Sequence, residues 1–225
     1  MMKISIAIPS YEYSGNGWFF LSYLINSVLE QDYTEIEIVI SDQSKNDDIT
    51  SIAKEYSKHI DINCIINPLP GMGCNFNNAV KNCTGDLIKI MCLDDYFIDS
   101  NALSKITNYM KVNTSKGWLI NGCVHSQSMN KFYDKMIPYY HEKIHLGANT
   151  ISSPSVLTLR NKDYFDENLV MLLDCEMYKR LYGKYGAPLI LEDSLVCNRM
   201  HPSQAQKHNK EIVEEKKYCI MKYGE

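Results

Sequence analysis

Residues 71–97 read GMGCNFNNAVKNCTGDLIKIMCLDDYF. Pro70 and the glycines at 71 and 73 mark a turn, residues 74–83 carry a helical pattern, and Gly85 closes it. Leu87 to Leu93 is then an apolar run, the pattern of a strand buried on both faces, and it leads straight into Asp94 and Asp95. Turn, helix, turn and buried strand in this order make one crossover of a parallel sheet. The stretch therefore predicts an α/β fold whose fourth strand ends in paired acids.

Toward the N-terminus the same alternation repeats. Ile4 to Ile8 predicts a strand closed by Pro9. Gly15, Asn16 and Gly17 break the chain, and Trp18, Leu21, Ile25, Val28 and Leu29 mark one face of a helix. Ile36 to Ile40 predicts a second strand. Asp47 and Asp48 suit a helix N-terminus, with Ile49, Ile52, Ala53 and Tyr56 as its apolar stripe, and Ile62 to Ile66 predicts a third strand. Downstream the rhythm changes. A helix is predicted near 101–111, strands at Trp118–Cys123 and Val156–Leu159, a helix at Val170–Tyr182 and a last strand region at Pro188–Cys197. The Tyr- and His-rich stretch from about 125 to 150 exceeds an ordinary connection and predicts a binding loop or irregular subregion. The lysine-rich tail after His208 predicts a surface helix or partial disorder.

Composition sets the outer bounds. With 225 residues, 45% of them hydrophobic, one core and one domain are expected. The formal net charge is −4 with scattered lysines and arginines, which argues against a nucleic-acid partner. No apolar run reaches the roughly 18–20 residues of a membrane span, and MMKISIAIPS lacks a cleavage pattern. Eight cysteines stand singly without metal-like spacing, as reduced thiols of a cytoplasmic protein would. A cytoplasmic location follows, the inner membrane face included.

Ligands of open parallel sheets bind beyond the carboxyl ends of the strands. Here those ends carry Pro9, Ser10, Tyr11 and Glu12, then Ser41, Asp42 and Gln43, then Pro70 to Gly73, then Asp94 and Asp95. An aromatic ring, an acid, a glycine turn and a paired acid suit a nucleoside diphosphate with a divalent cation, because oxygen ligands and a hard cation relieve the repulsion between adjacent carboxylates. The same pair would also serve as a cap for the helix predicted near Ser100.

In order and spacing, ISIAIPSYEY, QDYTEIEIVISDQS and GMGCNFNNAVKNCTGDLIKIMCLDDYF resemble the opening of the family 2 inverting glycosyltransferases, and the resemblance runs from residue 3 to about 204. It implies the GT-A fold, a Rossmann-like, mostly parallel sheet flanked by helices in a single domain. The halves would be 1–100 for the nucleotide sugar and 101–208 for acceptor and catalysis, with 209–225 as a C-terminal tail. By resemblance Pro9, Tyr11, Glu12, Asp42, Gly71, Asn77 and Asp94 would contact the donor. Asp95 would ligate Mn²⁺ or Mg²⁺ with His201, of the segment Arg199 to Gln204, as a second contact. The D-x-D element falls on Leu93, Asp94 and Asp95, so its first acid is replaced.

Asn149 to Ser155 resembles the family's donor-sugar pocket, and the resemblance places the general base at Asp174, preceded by Leu173 where the family has an acid. Glu176 is the nearby alternative. The implied activity is transfer of a sugar from a nucleoside diphosphate sugar, a UDP-sugar ahead of GDP- or dTDP-sugars, to a hydroxyl of a glycan, lipid-linked or small-molecule acceptor in polysaccharide biosynthesis. Two other readings stand beside it: a non-catalytic binding module of the same fold, and a nucleotidyltransferase. The latter lacks the basic residue that a triphosphate would require in PSYEYSGNGW.

Overall fold

The computed structural model describes residues 1–128, 131–202 and 209–225. β1 (Ile4–Ser10), β2 (Ile36–Asp42) and β4 (Leu87–Ile90) are buried almost throughout, while β3 (Asp61–Ile66) is a half-exposed edge. They pair in parallel in the order β3-β2-β1-β4, so the chain reverses its winding between β1 and β4. That reversal opens a crevice at the carboxyl ends of the strands. The sheet continues through β8 (Leu157–Leu159), β6 (Trp118–Ser128), β9 (Leu189–Arg199) and β5 (Tyr96–Phe97), with β7 (Lys131–Met136) hanging on β6. β6 and β9 run parallel, whereas the β4–β8, β6–β8, β5–β9 and β6–β7 pairs are antiparallel. The α/β, mostly parallel architecture flanked by helices is the one that the sequence predicts.

Helices α1 (Gly17–Leu29), α2 (Asp48–Tyr56), α3 (Met72–Asn82), α4 (Ala102–Val112) and α5 (Leu173–Tyr185) cover the sheet. α1 buries Phe20, Leu21, Leu24, Ile25 and Val28, but Trp18 and Leu29 are exposed, which corrects the predicted stripe. Leu29 lies eight residues after Leu21, about 80° off that face at 3.6 residues per turn. Trp18, in the first turn, stands edge-on to Phe19.

The fourth strand is shorter than predicted. It ends at Ile90, and residues 91–95 form a turn in which the Asp95 N–H donates to Cys92 O at 3.1 Å. Asp94 and Asp95 thus sit on a turn between β4 and β5. They do not cap α4, whose entry is held by Asp99 Oδ1 and Gln31 Oε1. The stretch expected to be irregular holds the end of β6, strand β7 and a 3₁₀ turn at Ile144–Leu146.

At the opposite end of the sheet Glu37 is buried and accepts hydrogen bonds from Ser5 Oγ, Thr84 N and Thr84 Oγ1, with Lys3 Nζ at 2.6 Å. Burial opposes its ionisation, yet these partners hold its carboxyl down at about 2. Residues from 209 onward form helix α6 (Asn209–Tyr223), which buries Cys219 and Glu215. Lys222 of α6 bridges Asp166 and Glu176, and Gly224 O meets His145 Nε2 at 3.1 Å. His208 lies outside the described residues.

Candidate active site

A cleft of about 840 Å³ opens at the carboxyl ends of β1, β2 and β4 and is closed on the far side by the Asn149–Pro154 segment and the start of α5. Its size suits a nucleotide-sized ligand. Pro9, Tyr11, Glu12, Asp94, Asp95 and Asp174 all line it, although they come from opposite halves of the sequence. Asp42, Gly71, Asn77 and His201 do not.

The entrance is built by the loop after β1. Tyr13 and Ser14 adopt positive φ, 44° and 54°, and Gly15 follows at 89°, a strained run that turns the chain back into α1. Gly17 permits the closure: its N–H donates to Glu12 O at 2.9 Å, and a Cβ there would lie 2.6 Å from Tyr11 O. The loop leaves Tyr11 41% exposed at the cleft mouth, its ring tilted 32° against that of Tyr13 at 4.1 Å and open to a planar ligand on its other side.

Asp42 sits deeper than a wall residue. Its Oδ1 accepts the Ser44 N–H at 2.9 Å, and its Oδ2 is buried without a hydrogen-bond partner among the described residues. Burial pushes its carboxyl up from the ordinary value. Gln43 is the residue of this strand end that faces the cleft. With its carboxamide oriented to satisfy both groups, it pairs with the Gly71 backbone at 3.1 and 3.2 Å, which gives Gly71 a supporting place behind the wall.

On α3 the cleft is lined by Met72, Asn75 and Phe76, the i, i+3, i+4 face counted from the helix start. Asn77 points elsewhere: it binds Phe165 through both its oxygen and its nitrogen, at 2.7 and 3.0 Å, and Glu167 at 2.9 Å. The contact is tight, since a Cβ at neighbouring Gly73 would lie 2.9 Å from Glu167 Cα. Asn75, which the sequence reading missed, donates to Ser10 O at 3.0 Å and keeps a buried Oδ1 without a partner among the described residues. The signal was the helix phase rather than the choice of asparagine.

Asp94 and Asp95 are both about 5% exposed or less. His201 Nε2 donates to Asp94 Oδ2 at 3.0 Å. Asp95 Oδ1 accepts the Arg199 N–H at 2.9 Å, and its Oδ2 accepts from Ser153 Oγ at 3.2 Å. His201 therefore pairs with Asp94, not with the Asp95 expected to share its metal. Burial, and then the charge of Asp94, push the Asp95 carboxyl well up. A divalent cation would remove that cost. Among the described residues no three His, Cys, Asp or Glu side chains are grouped for a metal. The donor set thus fits a cation held by few carboxylates and completed by diphosphate oxygens and water, and not a protein cage.

Arg199 is 8% exposed and stands below this turn. Its Nε donates to Asp94 O at 2.8 Å, and its guanidinium lies 4.9 Å from the Tyr23 and Tyr96 rings and 5.2 Å from Phe20. Arg199 is not part of the cleft wall; its visible partners are the backbone of the acidic turn and an aromatic box. Ser203 and Gln204 of the same segment lie outside the described residues.

Across the cleft, Asp174 occupies the first turn of α5. Its Oδ2 accepts from Asn149 Nδ2 at 2.8 Å and its Oδ1 from the Cys175 N–H at 2.7 Å. Burial nevertheless pushes its carboxyl up to about 6. Asn149 also receives the Ile151 and Ser152 N–H groups on Oδ1, at 3.1 and 2.9 Å, and Ser152 is held at φ 95° by Asn198 Nδ2 and Tyr178 Oη. Such over-determination keeps a non-glycine residue in the left-handed region. Glu176, the alternative base, is fully buried against Arg180, Lys222 and Tyr223 and faces away from the cleft. Asp166 and Glu167 are loop residues, bonded to Asn168 and Asn77.

Residues 5–169 match the sequence profile of Glycosyl transferase family 2. An uncharacterized glycosyltransferase of Rickettsia prowazekii is 26% identical over 217 residues, covering 89% of this chain and 65% of the relative. The GalNAc(5)-diNAcBac-PP-undecaprenol beta-1,3-glucosyltransferase of Campylobacter jejuni is 28% identical over 127 residues, 55% of this chain and 39% of that protein. The chain thus spans under two thirds of these relatives. In structure it is similar to S. aureus TarS 1–349 in complex with UDP-GlcNAc (TM-score 0.72, 18% identity, 98% of this chain and 66% of that one). It is also similar to a Pyrobaculum calidifontis mannosyltransferase in complex with GDP-Man and Mn²⁺ (TM-score 0.65, 14% identity, 88% and 56%). At these identities the likeness shows a shared fold.

Proposed function

The chain belongs to glycosyl transferase family 2, and on that premise we propose that it is a glycosyltransferase that transfers a sugar with inversion from a nucleoside diphosphate sugar to an acceptor hydroxyl, with Asp174 as general base. The observation that carries this reading is one cleft in which the Asp94–Asp95 turn and Asp174 face each other from the two halves of the fold. The first hundred residues serve the nucleotide sugar, residues 101–208 serve acceptor and catalysis, and 209–225 follow as a C-terminal tail whose helix packs back on the second half.

The donor lies across the sheet's winding reversal. Tyr11 packs on the base, Gln43 faces it with buried Asp42 behind, and Pro9, Glu12, Asn75 and Asp94 frame ribose and diphosphate. Asp95 and Asp94, with His201 behind Asp94, would hold Mn²⁺ or Mg²⁺, which when bound would neutralise charge on the diphosphate. Gly71 supports Gln43, and Asn77 supports the loop at Phe165. In the transfer, the bond from the anomeric carbon to the diphosphate oxygen breaks with its electron pair leaving on oxygen. The acceptor oxygen bonds to the opposite face of that carbon, and its proton passes to Asp174. A carboxyl near 6 is mostly ionised at neutral pH and basic enough to take that proton. Asn149 holds it in place.

Structural neighbours in complex with UDP-GlcNAc and GDP-Man support a nucleotide sugar as donor, and a UDP-sugar is the one proposed. The Campylobacter relative, named for an undecaprenol-linked acceptor, supports a glycan or glycolipid precursor within polysaccharide biosynthesis. Among the described residues no helix is long and apolar enough to cross a membrane. A glycolipid acceptor is proposed to be met at the cytoplasmic membrane face. The test is release of nucleoside diphosphate from UDP-glucose, UDP-GlcNAc, UDP-galactose and GDP-mannose, with Mn²⁺ or with EDTA. Mn²⁺-dependent release from one of them supports the proposal. No release, together with no shift of the melting temperature by UDP or GDP, rules out the enzyme as proposed.

A further inference from the structure

We infer that Glu215, on α6, is a positioning residue for Asp174 and for the acceptor wall of the cleft. The inference rests on the reading of Asp174 as the base. The N-terminus of α5 has no side-chain cap of its own: the cap position is Leu172. Free N–H groups at a helix start need acceptors, and a carboxylate also answers the partial positive charge there. Glu215 answers this need at the entry to the helix, from 43 residues away: it grips the cap residue's N–H and the two N–H groups before it. Its Oε1 accepts from Val170 N at 2.9 Å and Met171 N at 3.2 Å, and its Oε2 from Met171 N at 2.9 Å and Leu172 N at 2.7 Å.

The residues it gathers are those of the site. Val170, Met171 and Leu173 line the cleft beside Asp174, which follows the last gripped N–H by two positions. Glu215 itself is 9% exposed. The approach of α6 is fixed independently by Lys222, which bridges Asp166 and Glu176, and by buried Cys219. A helix beyond the stretch that matches the family profile therefore sets the first turn of the helix bearing the base. Without the carboxylate, three backbone donors lose their shared acceptor. The turn then frays, and Asp174 loses its fixed distance to Asn149 and to the acceptor.

The experiment compares Glu215→Gln, Glu215→Ala and Asp174→Asn with the parent chain by amide hydrogen exchange, UDP affinity and nucleotide-sugar turnover on the four-donor panel. Exchange in the Glu215 variants is expected to rise tenfold or more at residues 170–176 and to stay unchanged in β1, β2 and β4. UDP affinity stays within twofold, and kcat falls tenfold or more, less in Glu215→Gln than in Glu215→Ala. Unchanged exchange at 170–176, or faster exchange everywhere, overturns the inference, as does full kcat in Glu215→Ala while Asp174→Asn is inactive. If Asp174→Asn keeps its turnover, the base reading fails instead, and the exchange profile still decides whether Glu215 positions this turn.

Discussion

Replacing Asp174 by Asn should abolish transfer and at the same time make the protein more stable. The half-buried carboxyl is raised from 3.8 to about 6, which corresponds to at most about 3 kcal/mol of folding free energy lost when the group is ionised. The sign follows from proton uptake. Between these values the folded chain binds the proton more tightly than the unfolded one, so stability falls as pH rises through the window, and the cost is complete above about pH 6. Asn carries no charge to desolvate. It offers one oxygen where Asp174 uses two, so either Asn149 Nδ2 or the Cys175 N–H loses its acceptor, at about 1 kcal/mol. The net gain is at most about 2 kcal/mol, or about 4–8 °C in melting temperature for a chain of this size. Thermal denaturation in EDTA at pH 8 and pH 4 measures it: the gain should be present at pH 8 and absent at pH 4. Turnover should fall by about 10²–10⁴-fold, with nucleotide binding retained. A variant that is less stable at pH 8, or equally stabilised at both pH values, would refute the account of a desolvated base.

Donor turnover in the parent chain should rise with pH through about 6 as Asp174 ionises, and a pH–kcat profile flat from 5 to 7 would contradict this. Arg199→Lys keeps the charge but loses the Nε bond to Asp94 O and the flat contact with Tyr23 and Tyr96; UDP–Mn²⁺ affinity should drop about tenfold, or about 1.4 kcal/mol, by calorimetry. Glu37→Ala, far from the cleft, should cost about 2–3 kcal/mol in denaturant titration at pH 7. In the parent chain Glu37's contribution is present above about pH 4.5 and is lost as pH falls toward about 2, so the variant's deficit should shrink there.

The parallel half of the fold was legible because buried parallel strands leave unbroken apolar runs: β1, β2 and β4 are where the sequence predicts strands, and the acids follow them. Where burial depends on tertiary placement, the pattern was less informative. Leu87–Leu93 reads as one strand because its residues are apolar, yet the last three turn away to present Asp94 and Asp95. Asn75 and Asn77 differ only in helix phase, which shows once α3 is known to start at Met72. Glu176 and Asp174 differ by half a turn, one facing α6 and the other the cleft. Glu215 was invisible because its partners are backbone N–H groups over 40 residues away, and such bonds leave no periodicity.

The account depends most on the cleft holding a nucleoside diphosphate with a cation at the acidic turn. Crystals soaked with UDP and MnCl₂ and measured at the manganese absorption edge test this directly. The anomalous peak should lie against the carboxylates of Asp94 and Asp95 and beside the diphosphate, with the base beside Tyr11 and Gln43. A nucleotide bound elsewhere, or a manganese peak away from this turn, would contradict it.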